Sequence, residues 1–229
     1  HGVTAGKSLE YGSGAAGMSL WFGQQGFLPV ALDLSYDALR VAEMNRARRG
    51  VSSLNRIVGD ASRMPFPDGT FDVVMSYGLL EHFGPSKPEA LLREVLRVLR
   101  SGGVFVADIV PGRVDVRFAG TIANFLASSA VHAMRGRAHE IPMVRRAYFD
   151  HYYESSWPAT AWERLLRDLG LLHLQVSVCR PFPPLAITGP LEHAYVEVQR
   201  FVWPHWWCFS PESMGARWAW TYLTLGIKP

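Results

Sequence analysis

A chain of 229 residues, 48% apolar and with a mean hydropathy of +0.04, has enough apolar side chain for a sizeable core. That excludes a disordered segment and suits one α/β domain with insertions. Its 23 Lys and Arg against 20 Asp and Glu leave a formal net charge of +3, too small and too dispersed to argue by itself for a nucleic-acid partner.

The first half alternates strand and helix patterns, which predicts a parallel sheet with helices on both faces. Residues 7–11 form a first strand that runs into a glycine turn, and 28–34 (LPVALDL) read as a buried second strand. Ser35 is placed to cap a helix over about 36–49, which Gly50 closes. Residues 55–60 (NRIVGD) read as a third strand, and 71–76 (FDVVMS), just after an Asp-Gly turn, as a fourth. Ser86 and Glu89 pair as a capping box around Pro88. Leu91, Leu92, Val95, Leu96 and Leu99 then give a helical apolar stripe, which Gly102-Gly103 ends. Residues 104–110 (VFVADIV) read as a fifth strand, stopped by Pro111. Further on, Thr160 and Glu163 form a second capping box for a helix that Gly170 terminates. Residues 172–178 and 222–228 read as sixth and seventh strands.

The uncharged stretch 118–134 is short for a bilayer span and carries Asn, Ser and His. The two cysteines, Cys179 and Cys208, are remote in sequence and lack metal-type spacing, so a reduced, cytoplasmic compartment is the expectation. The start at His1 suggests a trimmed chain or a missing leader.

The chemistry centres on Gly12-Ser13-Gly14-Ala15-Ala16-Gly17, between the first strand and a helix. Glycines there let a ligand approach the backbone, and the helix start offers free N–H groups. The pattern alone fits a dinucleotide fingerprint, or a plain strand-to-helix turn, equally well. Three acids weigh against the dinucleotide. Glu10 ends the first strand, where a cation is welcome and a pyrophosphate is not. Asp33 ends the second strand, where a carboxylate can accept both hydroxyls of a ribose. Asp60, in Gly59-Asp60-Ala61, ends the third, where an adenine amino group can donate to it. Each alone reads as readily as a cap or loop charge; together they converge on the carboxyl edge of the sheet, at its switch point.

SLEYGSGAAG, ALDLS, GDASRMPFPDGTFDVVMSYGLLEHF and EALLREVLRVLRSGGVFVADIVP, in this order and spacing, resemble the class I S-adenosylmethionine-dependent methyltransferases, and within them the small-molecule group. The resemblance is strong over 6–111 and weaker over 157–180 and 222–229. It implies a doubly wound, seven-stranded, mostly parallel sheet of the Rossmann-like methyltransferase fold, with S-adenosylmethionine as cofactor. In that reading 1–229 is a single domain, 1–111 its cofactor half, and 112–156 and 181–213 are cap insertions over the substrate. Carried over, Glu10, Gly12 and Gly14 surround the methionine moiety. Asp33 holds the ribose, Leu34 packs on the adenine, and Asp60 with the backbone of Ala61 reads the adenine edge. Ser76 and Tyr77 line the amino end of the cofactor through their backbone.

The sequence departs from the family at two places. The third glycine of the turn falls at Ala16. Only residues 1–6 precede the first strand, where the family has one or two helices, so the element covering the cofactor is expected to be missing and one side of it exposed.

Leu80-Glu81-His82 resembles the family's variable element at the mouth of the substrate site. The unperturbed pKa of a histidine lies near operating pH, so His82 suits a general base. The alternative is that Glu81 and His82 cap a loop and shape the pocket, since transfer to an already nucleophilic atom needs little beyond in-line placement. No further acid or histidine stands near the pair, so no metal is expected. Pro181-Phe182-Pro183-Pro184 resembles the Pro-Pro-aromatic element of amino-directed DNA methyltransferases, but that element belongs after the fourth strand. Arg135, Arg137, Arg145 and Arg146 lack interleaved stacking aromatics and read as solvated surface, not a nucleic-acid patch. The aromatic-rich insertions, with Phe118, Phe125, Phe149, Trp203 and Trp206 among them, favour a hydrophobic small-molecule acceptor, with the arginines suited to an anionic group or membrane surface at the rim. The same aromatics fit equally well a purely structural role, buried against one another or in a dimer interface. The rival functions are a nicotinamide-dependent oxidoreductase, favoured only by the glycines, and a catalytically silent binding or scaffold protein on the same fold.

Overall fold

The computed structural model describes residues 3–83, 88–112, 122–149, 155–179, 208–209 and 221–229, with single helical positions at 194, 197, 198 and 201. Strands β1 (Lys7–Tyr11), β2 (Leu28–Asp33), β3 (Asn55–Val58), β4 (Phe71–Tyr77) and β5 (Leu99–Ile109) alternate with helices α1 (Gly17–Gln24), α2 (Tyr36–Arg48) and α3 (Pro88–Val98). Helices α4 (Ala123–Met134), α5 (Ile141–Phe149) and α6 (Ala159–Asp168) follow, then β6 (Leu172–Cys179), β7 (Cys208–Phe209) and β8 (Thr221–Ile227). The sheet runs β3-β2-β1-β4-β5-β8-β6-β7. Its first five strands are mutually parallel, and β8 lies antiparallel between β5 and β6. This is the expected seven-stranded, mostly parallel sheet, extended by the two-residue edge strand β7. Pairing of β6 with β7 makes Cys179 and Cys208 register partners, although 29 positions separate them in sequence.

Alternation along β2 sorts the two faces. Val30 and Leu32 join Leu9, Tyr11 and Val74 in a core covered by Leu91, Leu92 and Val95 of α3 and by Trp162 and Leu166 of α6. Ala31 points the other way, into a second core with Ala16, Leu20, Leu39 and Ala42 of the α1–α2 side. Helices therefore cover both faces, as a parallel sheet requires. Ser35 caps α2 by accepting from the N–H of Ala38 at 3.2 Å, and Gly50 follows in the left-handed region at φ 64°.

Three local expectations change. The Leu91–Leu99 stripe does not stay helical to its end: α3 stops at Val98, and Leu99 pairs with Phe71 as the first residue of β5. The glycines lie inside that strand, where Lys228 brackets them: Gly102 N donates to Lys228 O at 2.8 Å and Lys228 N to Gly103 O at 3.0 Å. Thr160 and Glu163 form no capping box; α6 starts one residue before Thr160, its cap position is Pro158 with no side-chain bond, and Glu163 instead accepts from Arg167 Nη2 at 2.7 Å. Ser86 lies outside the described residues, as do most of 181–213. Among the described residues no helix is long and apolar enough to cross a membrane.

Trp162 is the largest fully buried side chain of the core, and its indole N–H has no partner among the described residues. Trp162→Ala should cost about 3–5 kcal/mol by denaturant unfolding, the range for emptying a large aromatic site. Trp162→Phe should cost markedly less, because it also removes an unsatisfied buried donor.

Candidate cofactor and acceptor site

The turn after β1 takes left-handed backbone at three alternate positions: Gly12 (φ 61°), Gly14 (φ 50°) and Ala16 (φ 58°). At Gly12 a Cβ would run into the Leu79 side chain, whereas at Gly14 it would face open space with no atom within 4 Å. Ala16, where the family has glycine, keeps the left-handed conformation at a cost of roughly 1–2 kcal/mol. Its methyl is fully buried against the α1–α2 core, which offsets that strain.

Glu10 is buried on the α1 side and accepts from the N–H of Ser19 at 2.7 Å, in the first turn of α1. Burial pushes its carboxyl above the ordinary carboxylate value, and the Ser19 hydrogen bonds only partly oppose this. Asp33 accepts from Gly14 N at 2.7 Å through Oδ2 and from Ser35 N at 2.8 Å through Oδ1. Each oxygen keeps a second lone pair for a further donor. The end of β2 is pinned from both sides, by Ser13 N to Leu32 O at 3.1 Å and Gly59 N to Asp33 O at 3.0 Å. The next residue, Leu34, leaves 72% of its surface in solvent. Asp60 is exposed beyond β3, and the backbone N–H of Ser62, 2.8 Å from its Oδ1, holds its carboxyl below the usual range. Ala61 beside it is buried.

On the opposite face, beyond β4, a second polar group gathers. Ser76 is fully buried, Tyr77 exposed, and the single turn Leu80–His82 folds Glu81 into the interior with only 2% exposure. His82 on the same turn stays half-buried. The Tyr11 side chain, fully buried at the end of β1, lies beside Ser76 and within the field of Glu81; burial first, and that charge second, raise its hydroxyl above its ordinary value. Glu81 O also accepts from Ser155 N at 2.7 Å, and Ser155 O accepts from Gly112 N at 2.8 Å. Neither Tyr11 nor Ser155 stood out in the sequence. A tyrosine in a run of otherwise buried strand was the available signal, since its hydroxyl must enter the core with it. Nothing in the sequence marked Ser155.

The structure thus sets Glu10, Gly12, Gly14, Asp33 and Asp60 at or just past the ends of neighbouring strands on the carboxyl edge, and places Ser76 near the end of β4 and Glu81 and His82 in the turn after it. A ligand with a cation, a ribose and an apolar ring suits this edge: a buried acid, an open glycine backbone, an acid with spare acceptor capacity and an uncovered leucine lie along it. The Ser13 hydroxyl, buried and without a hydrogen-bond partner among the described residues, is a further polar atom in the turn. Among the described residues no group of three His, Cys, Asp or Glu is placed to hold a metal ion.

Sheet order and the helices on both faces define an α/β domain with the Rossmann-like methyltransferase fold. Residues 9–107 match the family described as methyltransferase domain, and over this segment the chain is similar to several methyltransferases. It is 34% identical over 113 residues to a fatty-acid O-methyltransferase of Mycolicibacterium smegmatis, covering 48% of this chain and 39% of that protein. It is 32% identical over 100 residues to ajmaline N-methyltransferase of Rauvolfia serpentina, covering 43% and 34%. A demethylmenaquinone methyltransferase of Renibacterium salmoninarum is 34% identical over 101 residues, with 44% and 39% covered. The matched segment thus spans about two fifths or less of each of these relatives. In fold, the YcgJ protein of Bacillus subtilis superposes over 98% of this chain and 92% of its own, with a TM-score of 0.56 at 20% identity.

The buried Glu10 gives the folded state a pH dependence. Its carboxyl holds a proton, in the window just above the ordinary carboxylate value, where the unfolded chain has already released its own. Stability from this group is therefore present at the acid end of the window and lost as pH rises through it. Plots of urea midpoint against pH should lose that part of their slope in Glu10→Gln; an unchanged slope would show that Glu10 is not the group responsible.

Proposed function

We propose that the protein transfers the methyl group of S-adenosylmethionine to an O, N or C nucleophile of a small hydrophobic or aromatic acceptor. The observation that supports the reading is that Glu10, Asp33 and Asp60 stand at or just past the ends of three neighbouring parallel strands, with Asp33 gripping Gly14 of the open turn. In this reading Glu10, Gly12 and Gly14 receive the methionine moiety, and the spare lone pairs of Asp33 receive the ribose hydroxyls. Leu34 gives its exposed face to the adenine, Asp60 and the N–H of Ala61 read its edge, and Ser76 and Tyr77 border the amino end. The whole chain acts as one domain, with 112–156 and 181–213 as caps on the acceptor side.

When bound, the cofactor supplies an electrophilic methyl on a sulfonium. The residues after β4 do the rest. His82, half-buried on its turn, is placed to take a proton at a ring nitrogen from an acceptor hydroxyl or amine. The backbone carbonyl of Glu81, in the same turn, accepts from Ser155 N and so anchors the turn that carries His82. Relatives named for a fatty acid, ajmaline and demethylmenaquinone support a hydrophobic acceptor, and their O- and N-directed names leave the atom open.

Calorimetry should show S-adenosylhomocysteine binding and no NAD binding. Asp33→Ala should weaken S-adenosylhomocysteine by about 1–3 kcal/mol, the loss of charge-assisted hydrogen bonds together with the tether on Gly14. Tight NAD binding with no response to S-adenosylhomocysteine would refute the reading.

A further inference from the structure

The chain leaves the sheet at Gly112 and returns at Ser155, and the hydrogen bond between these two residues roots the excursion at one point beside Glu81. Within it, α4 and α5 form a helical hairpin. Phe125 and Phe149 pack edge to face at 5.2 Å, and Val144 is buried. The connecting turn is tied by Arg137 N to His132 O at 2.8 Å.

The outer surface of this hairpin has an unusual makeup. The exposed residues of α4 are Leu126, Ala130, Ala133 and Met134, which fall on one side of the helix at its 3.6-residue period and carry no polar group. Leu126 and Met134 leave 60% and 79% of their surfaces in solvent, and Met143 on α5 leaves 64%. Charge is one-sided too. Residues 122–149 contain four arginines and one acid, so this segment carries 4 − 1 = +3, equal to the formal charge of the whole chain. The acid, Glu140, is held within the hairpin by His132 at 3.4 Å and Arg137 at 3.7 Å. Arg135, Arg145 and Arg146 are exposed and enter no ion pair among the described residues. No acidic residue is exposed anywhere on 122–149.

We infer that the α4–α5 hairpin docks the protein on an anionic phospholipid surface, with Leu126, Met134 and Met143 entering the acyl boundary and Arg135, Arg145 and Arg146 meeting the headgroups. An apolar helix face of this kind marks an interaction surface. Charge complementarity selects the partner: the exposed Arg135, Arg145 and Arg146 have no counter-ion among the described residues, and a bilayer interface accepts both the apolar face and the cations around it. The inference does not depend on the methyl-transfer reading. A surface that holds the protein at lipid would also bring a membrane-dissolved acceptor to the edge where the excursion is rooted.

Co-sedimentation of the whole chain with vesicles tests it. The protein should pellet with phosphatidylglycerol–phosphatidylcholine vesicles, lose that binding as salt rises, and bind pure phosphatidylcholine far more weakly. Arg145→Ala with Arg146→Ala should lower the partition coefficient roughly 30-fold, about fivefold per arginine. Leu126→Asp with Met134→Asp should abolish binding while circular dichroism and S-adenosylhomocysteine calorimetry stay as in the parent. Three results would overturn the inference. One is a parent protein that stays in the supernatant with anionic vesicles at low salt. Another is equal binding by parent and both variants. The third is a concentration-dependent dimer, broken by the Asp pair, in a protein that ignores vesicles, which would make a second copy the partner. Vesicle binding without S-adenosylhomocysteine binding would uphold this inference and count against the cofactor reading.

Discussion

Three carboxylates stand at or just past the carboxyl ends of neighbouring parallel strands, the charge of Asp33 opposing that of Glu10, and each of the three accepts a backbone N–H. Glu10 takes the N–H of Ser19, Asp33 those of Gly14 and Ser35, and Asp60 that of Ser62. These bonds shape the loops as much as they place the acids. Because Asp33 grips Gly14, the glycine turn after β1 is fixed to the end of β2, and the open space at Gly14 is a product of that grip. Glu10 differs from the other two in being buried, so its charge is costly until a cation lies nearby. The site is therefore best suited to a ligand that brings a positive charge to the β1 end and hydroxyl donors to the β2 end.

The sheet divides this work between its faces. Glu10 and the start of α1 lie on one side, with the α1–α2 core behind them. Tyr11 and Ser76 lie on the other, above the core that α3 and α6 close, and Glu81 is folded over them by the turn after β4. The neighbours Glu10 and Tyr11 thus serve opposite faces, as alternation along a strand requires. The same turn carries the backbone link from Glu81 to Ser155, so the root of the 113–154 excursion and the turn bearing Glu81 and His82 share one anchor.

Most of the first half of the chain was legible because local rules and the global fold agree there. Strands β1, β2 and β4 are short apolar runs bounded by turn residues, Ser35 sits where a cap is needed, and the acids follow strand ends at regular places in the chain. Local pattern misled where two structures share a signal. Leu99 fits the helical stripe and also the opening of a strand, and the ladder to Phe71 decided for the strand. Thr160 and Glu163 have capping-box spacing, yet α6 begins at Ala159, before Thr160, so the threonine sits inside the helix.

The amino-acid sequence by itself determined the order of elements, the glycine turn and the identity of the three acids, because those depend on residue type and spacing within one strand-turn-helix unit. Only the tertiary structure decided which groups meet across units. It set Tyr11 beside Ser76 and Glu81, joined Gly112 to Ser155, brought Cys179 and Cys208 into register, and turned the apolar side of α4 outward. The physical reason is that such meetings are made by strand pairing and packing between distant segments, which no local period records.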